Sequence, residues 1–494
     1  MMGLTYAQLS HIGFRFALDA LEPCSAYGRT ALRKLEPFSD VVLRTRELNN
    51  LEQACFLRRE QGEAVARMEH LMMATKDIRS SLILCGEGKI LSDIELFEVK
   101  SFLLQLEDML PAFAALHGAV SFEGLAFQSA TAALELLDPE GNRVASFYLS
   151  ERYSSTLARI REEKRSVELA LRRSADKEEQ APLVGWRQRI VAEEQAEEAV
   201  IRKDLSKQLQ PYMAALLENC DTIARLDLLL QKAALTARFG GCKPCFGGAC
   251  IELSGMRNPM LATALAAKGK AFTPVSITLQ EGAAIITGAN MGGKSVLLKT
   301  LALNVLLAHC GFFPFAEKAI LPELDTIHLV SEDLESSDRG LSSFGGEIVR
   351  LGELTEALAS EYALVLLDEF ARGTNPAEGS SIAWALTNWL NEQRCFAVLT
   401  THFEHVAEAA GAHWRVAGLM DVDWAALREE IAHQAAERSV SLIAHHMNYE
   451  LLQVSAQEKI PQDAIEICRL LGFSPEIIEA SQKKLLTIGK DAVK

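Results

Sequence analysis

ITGANMGGKSVLLKT (286–300) sets Gly288, Gly293, Lys294 and Ser295 at the spacing G-x-x-x-x-G-K-[ST]. The residues just before it, AAIIT (283–287), are an unbroken apolar run and read as a buried strand. The residues after it, VLLKTLALNVLLA (296–308), read as a helix. A strand, a glycine loop and a helix in that order form a phosphate cradle. The glycines let backbone N–H groups turn inward at a helix N-terminus, where the dipole favours anions. Lys294 adds a point charge for the β- and γ-phosphates, and Ser295 offers a hydroxyl to Mg²⁺. The expected ligand is therefore a nucleoside triphosphate, ATP, with Mg²⁺.

Downstream, ALVLLDEF (363–370) is a second apolar strand and ends in two carboxylates. In a parallel sheet that end is the ligand-facing edge. Asp368 is expected to hold the Mg²⁺ hydration shell and Glu369 to act as general base on the attacking water. A third strand, FAVLTTHF (396–403), ends in His402, which is expected beside the γ-phosphate, where an imidazole can sense or polarise that water. From Ile251 to about Ala410 short apolar strands alternate with helical segments, as in an α/β layer. The glycine- and cysteine-rich FGGCKPCFGGAC (239–250) marks its upstream boundary. Cys242, Cys245 and Cys250 supply three ligands where a structural zinc site wants four, so the segment reads as a tight connector.

Residues 1–145 carry helical apolar spacing, with a turn or short hairpin at LLDPEGNRVAS (136–146). Residues 150–180 and 187–217 read as two charged helical arms around a break at APLVGW (181–186), where Pro182 and Gly185 are expected to stop the helix. Such a stalk would be roughly 45 Å long. Arg159, Arg161, Arg165, Arg172 and Arg173 on the first arm are interleaved with glutamates. They fit either a solvated helix with ion pairs or a nucleic-acid track. The chain of 494 residues is 49% hydrophobic and 23% charged, with a formal net charge of −16. That sign argues against avid, non-specific gripping of nucleic acid by the chain as a whole. No apolar run reaches the length of a membrane span, and the opening MMGLTYAQLSHIGF has no leader pattern, so a cytoplasmic protein with reduced cysteines is expected.

These motifs together resemble the MutS ATPases. GANMGGKS resembles the family's GPNMGGKS, with Ala289 for proline. LVLLDEFARGTNPAEG (364–379) resembles LVLxDExGxGTxPxEG, with Ala371 for a glycine, and TTHF (400–403) is similar to TTHY. MRNP (256–259) resembles a segment ending in RHP, with Asn258 for histidine. ARLDLLLQKA (224–233) resembles the helical-core segment ELDxLxSxA, and LLGFSPEIIEASQKKL (470–485) resembles the family's terminal segment. The resemblance implies that Asn290 and Gly292 join Gly288, Gly293, Lys294 and Ser295 around ATP. It also implies that LSSF (341–344) is a signature segment whose Ser342 reaches the partner's γ-phosphate in a homodimer. Phe272, in KAFTP, is either the aromatic that stacks on adenine or an ordinary core phenylalanine.

The implied fold is an α-helical core with a long helical stalk, then an α/β P-loop (ABC-type) ATPase domain and a small helical C-terminal dimerisation segment. The boundaries expected are 1–149 and 218–238 for the core, 150–217 for the stalk with a reduced clamp, 239–420 for the ATPase domain and 421–494 for dimerisation. SAYGRTALRKLEPF (25–38) looks like the core's first helices, so a mismatch-reading wedge domain is not expected. Nor is an Smr nuclease domain, and the nearer likeness is to shortened MutS paralogues. Two functions stay open: closure of the stalks on DNA in repair or recombination, and remodelling of a protein client such as a cofactor-dependent enzyme.

Overall fold

Residues 22–35 and 49–234 form one compact unit, and residues 1–21, 36–48 and 235–494 form another. The computed structural model describes all residues except 147, 175–176, 289–292, 332–342, 404, 420–421, 432–438, 440–441, 444, 456–462 and 492–494.

The first unit is helical. Helix α1 (Asp93–Ala119) starts in a capping box between Ser92 and Glu95 and buries Leu96, Val99, Leu103 and Leu106 along one stripe. Helices α2 (Ser155–Arg173) and α3 (Lys177–Leu209) run antiparallel, packing Ile160, Val167 and Ile190 between them. Residues 138–146 form a loop after the short helix Thr131–Leu137. The helical interruption lies before Lys177 and not at 181–186, because α3 runs straight through Pro182 and Gly185. Pro182 sits near the start of α3, where its missing N–H costs a single hydrogen bond, to the carbonyl four residues back.

Ion pairs across α2 and α3 use much of the basic charge expected on the stalk. Arg161 is buried and reaches Glu194 at 2.9 Å and Glu198 at 2.8 Å, with Tyr148 stacked 3.8 Å from its guanidinium. Lys164 also pairs with Glu194. Burial alone would raise the Glu194 carboxyl, but hydrogen bonds from Lys164 and Arg161 hold it below its usual range. Arg165 pairs with Glu151 at 3.0 Å and Glu162 at 2.6 Å, and Arg159 meets Glu163 at 3.9 Å. Arg172 and Arg173 are exposed. Trp186 lies on α3 and donates from Nε1 to Glu163 at 3.1 Å.

Helix α4 (Met213–Phe239) carries Asp227, which is wholly buried. It accepts from the Ser25 amide at 2.8 Å, the Ser25 hydroxyl at 2.6 Å and the Cys24 amide at 3.1 Å. Gly28 lies against it, and a Cβ there would come within 2.1 Å of its Oδ2. The aspartate in the core-like segment ARLDLLLQKA is thus an internal cap for the helix Ala26–Arg33.

The second unit holds two sheets. Strands β1 (Cys245–Phe246), β2 (Ile251–Met256), β3 (Val275–Leu279) and β5 (Lys318–Leu321) form a small mixed sheet in the order β1-β5-β2-β3. The connector at 239–250 therefore contributes a short strand of its own. Helix α5 (Pro259–Ala266) follows β2. Its N-cap is Asn258, which accepts from the Leu261 amide and donates to the Ile12 carbonyl at 3.0 Å. That double duty accounts for an asparagine where the family-like motif has histidine.

The larger sheet comprises β4 (Gly282–Thr287), β6 (Thr326–Ser331), β7 (Ala363–Asp368), β8 (Cys395–Thr400), β9 (Ala412–Gly418) and β10 (Asn448–Val454), ordered β10-β9-β4-β8-β7-β6. All are parallel but β10, which is antiparallel to β9. Strands β4 and β8 are buried throughout, which is why they read as continuous apolar runs. The outer edge of β6 is covered by the chain's own start: the Ile327 amide donates to Met2, and Gln8 donates to the Leu329 carbonyl. Helices α6 (Lys294–His309), α7 (Ser343–Ala357) and α8 (Pro376–Asn391) follow β4, β6 and β7 in the chain, and α9 (Pro475–Asp491) lies near its end. Residues Leu419, Leu427, Ile431, Ile443, Met447 and Leu470 make a separate small core. Among the described residues no helix is long and apolar enough to cross a membrane.

Candidate nucleotide site

Three strand ends meet at one edge of the large sheet. Strand β4 leads into Gly288, whose φ of 139° suits glycine, and Gly293, at φ 80°, is the N-cap of α6. Asn290 and Gly292 lie outside the described residues, as does Ser342. Ser295 sits partly buried in the first turn of α6. Lys294 is buried, donates to the Gly288 carbonyl at 2.8 Å and stands 3.5 Å from Glu369. Burial pulls its ammonium below the usual lysine range, with Glu369 and Asp368 working against that pull.

Strand β7 delivers the carboxylates. The Thr400 hydroxyl, at the end of neighbouring β8, donates to Asp368 at 2.8 Å and accepts from the Glu369 amide at 2.9 Å. One threonine thereby orients both residues. Asp368 and Ser295 are hard oxygen donors of the kind Mg²⁺ takes, and the Thr400 contact fixes the aspartate as an outer-shell partner would. Among the described residues no three His, Cys, Asp or Glu side chains gather as a metal site of their own.

After Asp368 the chain turns sharply. Glu369 (φ 49°) and Ala371 (φ 62°) are both left-handed, and neither is glycine. The resemblance flagged Ala371 as standing where a glycine is usual, and its conformation shows why glycine suits that place. Arg372 donates to Glu369 at 2.6 Å, so that carboxylate lies between two cations.

His402 follows β8, exposed at the rim with its ring 4.9 Å from that of Phe403. Partial burial of the imidazole lowers its pKa below the ordinary histidine value; Glu369 opposes the shift, while Lys294 and Arg372 add to it. Lys294, Asp368, Glu369 and His402, drawn from three separate stretches of sequence, are brought together here.

Beside α6 opens a cavity of about 370 Å³, lined by Phe272, Gly293, Val296, Val416, His445 and Tyr449 among others. Phe272 thus lines a cavity that shares Gly293 with the glycine loop. Tyr449, on β10, lies so close that a Cβ on Gly293 would come within 3.2 Å of its ring. The sequence reading missed Tyr449, Thr400 and Arg372. No motif marks a tyrosine in an alternating edge strand, although Thr400 and Arg372 lie inside segments already singled out.

A P-loop α/β domain of the ATPase type is the class that this sheet and this edge define. Residues 284–484 match the family profile of MutS domain V, and in that region the chain is similar to proteins of the MutS family. It is similar to the endonuclease MutS2 of Thermus thermophilus, 34% identical over 215 residues, which is 44% of this chain and 28% of the relative. The DNA mismatch repair protein MutS of Symbiobacterium thermophilum is 34% identical over 197 residues, 38% of this chain and 22% of the relative. MutS of Thermus thermophilus is 31% identical over 276 residues, 55% of this chain and 30% of the relative. The chain thus spans less than a third of the length of these curated relatives.

Proposed function

We propose that this chain binds ATP with Mg²⁺ and hydrolyses it at a site completed by a second copy, coupling the cycle to DNA in repair or recombination. The observation that carries the reading is the meeting of Lys294, Asp368, Glu369 and His402 at one parallel-sheet edge beside a glycine loop. Lys294 turns from the Gly288 carbonyl to the phosphates. Ser295 and Asp368 would hold Mg²⁺, which would supply positive charge to offset that gathering on the phosphates. Glu369 accepts the proton of the attacking water, and His402, kept neutral by its lowered pKa, orients that water. Phe272 and Tyr449 enclose the base. Gly288, Asn290, Gly292 and Gly293 wrap the phosphates, and Ser342 arrives from the partner. In this reading residues 239–420 are the motor, 421–494 the dimerisation segment, and 150–217 the stalk. In this reading the protein works in the cytoplasm.

Lys294→Ala should lose ATP binding, and Ser342→Ala should lose turnover. Mixing the two inactive proteins should restore part of the activity, since one of the two sites in a mixed dimer is intact. Exchange of subunits without any rescue would refute the shared site.

DNA is favoured by the printed names of the relatives, an endonuclease and DNA mismatch repair proteins. A protein client is favoured by one observation: Arg161, Lys164 and Arg165 are already matched by carboxylates of their own chain, while Trp186 is 49% exposed. Binding to branched and linear DNA across a salt series, with and without ATP, separates the two. Phosphate contacts must appear as a salt slope. A flat, weak response would turn the reading to a protein client.

A further inference from the structure

The turn after Glu369 contains a second carboxylate that the scheme above does not use. Glu347, on α7, is 3% exposed, and its Oε2 accepts the backbone N–H of Ala371 at 2.9 Å. Ala371 is itself wholly buried and left-handed at φ 62°. An L-residue there is strained, and strained backbone persists only where its surroundings hold it. The surroundings are visible on both sides. Glu347 takes the N–H of Ala371, and α8 presses on its carbonyl, since a Cβ on Gly379 would come within 2.8 Å of that oxygen. Two residues upstream, the turn sets Glu369, also left-handed; one residue downstream it sets Arg372, which grips the Glu369 carboxylate.

We infer that Glu347 is a positioning residue for Glu369: by anchoring the Ala371 amide it holds the strained turn that aims the general base and Arg372. This rests on the proposed hydrolysis for its consequence in rate, though not for its geometry. A hydrogen bond from a backbone N–H to a buried carboxylate is charge-assisted, and its loss leaves a buried donor unmet. The strain then relaxes and the base moves off line.

The experiment is a set of full-length variants assayed for ATP turnover, ATP binding and amide exchange. Glu347→Ala should lower kcat about tenfold or more, with KM for ATP within about twofold. Glu347→Gln retains an acceptor oxygen and should stay within about threefold of the parent in kcat. Glu347→Met fills the same space without an acceptor, and should behave as Glu347→Ala if the alanine variant does not fold. Ala371→Gly, added to Glu347→Ala, should recover most of the lost kcat, because glycine adopts the left-handed turn unaided. A merely structural loss would not be restored this way. Exchange at the Ala371 and Arg372 amides should quicken in Glu347→Ala and return towards the parent rate in Glu347→Gln. Parental kcat in Glu347→Ala, or no recovery with Ala371→Gly, overturns the inference. A parent chain without ATP turnover would sink the functional reading alone; unchanged amide exchange in Glu347→Ala would sink this inference alone.

Discussion

Arg161 and Lys294 are both buried cations beside carboxylates, yet their surroundings differ: one lies between two paired helices, the other at the end of a glycine loop. Arg161 donates to Glu194, to Glu198 and to the Leu149 carbonyl, with Tyr148 stacked on its face. Two acidic side chains neutralise it, and its planar fork suits several fixed acceptors at once. Lys294 donates to the Gly288 carbonyl, has Glu369 at 3.5 Å, and is pulled towards its neutral form by burial. The first arrangement ties two helices together through fixed acceptors. The second stands at the end of a glycine loop, where the proposed function brings phosphates. Burial of a charge says little about function by itself; the elements that surround it say more.

Four experiments press on that contrast. Glu369→Gln removes the proton acceptor of the proposed hydrolysis and should lower turnover by about 10²–10⁴ with ATP still bound. Single-turnover kinetics with near-parental rates would place the base elsewhere. Arg161→Ala removes the junction between the two helices, taking a cation from Glu198 and leaving Glu194 to Lys164, so unfolding in denaturant should reveal a loss of about 3 kcal/mol. A loss under about 1 kcal/mol would show the network to be superficial.

A pH series tests a third buried group on the same footing. His309, at the end of α6, has Nδ1 against the Val305 carbonyl and accepts the Leu324 amide on Nε2, which requires the neutral ring. Burial pulls its pKa down to about 4 from an ordinary 6.5. The unfolded chain takes up this proton first, so stability is full above about pH 6.5. It falls as pH drops towards 4, by about 3 kcal/mol over that window. Melting curves of His309→Gln should lack that part of the acid slope, and an identical slope would exclude His309 as its source. The smallest effect is expected for Trp186→Ala. Half exposed and bonded to Glu163, Trp186 should cost about 1 kcal/mol or less, with ATP turnover unchanged. Lost turnover would mean that α3 communicates with the nucleotide site.

The two regions were also unequally legible in the sequence. Gly288, Gly293, Lys294, Asp368, Glu369 and His402 sit at the ends of apolar runs or at fixed local spacings, and each such signal spans fewer than about ten residues. The antiparallel arms could be foreseen from their charge pattern, whereas their turning point could not. Pro182 and Gly185 look like stops, yet the helix runs through both, and the pairing of α3 with α2 outweighs the cost of an interior proline. The arginines of α2, read as either an ion-paired solvated face or a nucleic-acid track, include at Arg161 a buried junction, because Glu194 and Glu198 approach only once the helices pair.

What the sequence alone determined is the glycine motif between a strand and a helix, the acidic strand end and the alternation of strands with helices, since these depend on steric and dipolar rules acting between near neighbours. Only the tertiary structure decided that Thr400 orients Asp368 and Glu369, that Glu347 holds Ala371, that Tyr449 faces Gly293, and that Gln8 covers β6. Each of these contacts joins segments distant in sequence, through one hydrogen bond or one close approach. Such a contact leaves no periodicity and no composition behind it, and exists only when the sheet order and register have brought its two ends within 3 or 4 Å.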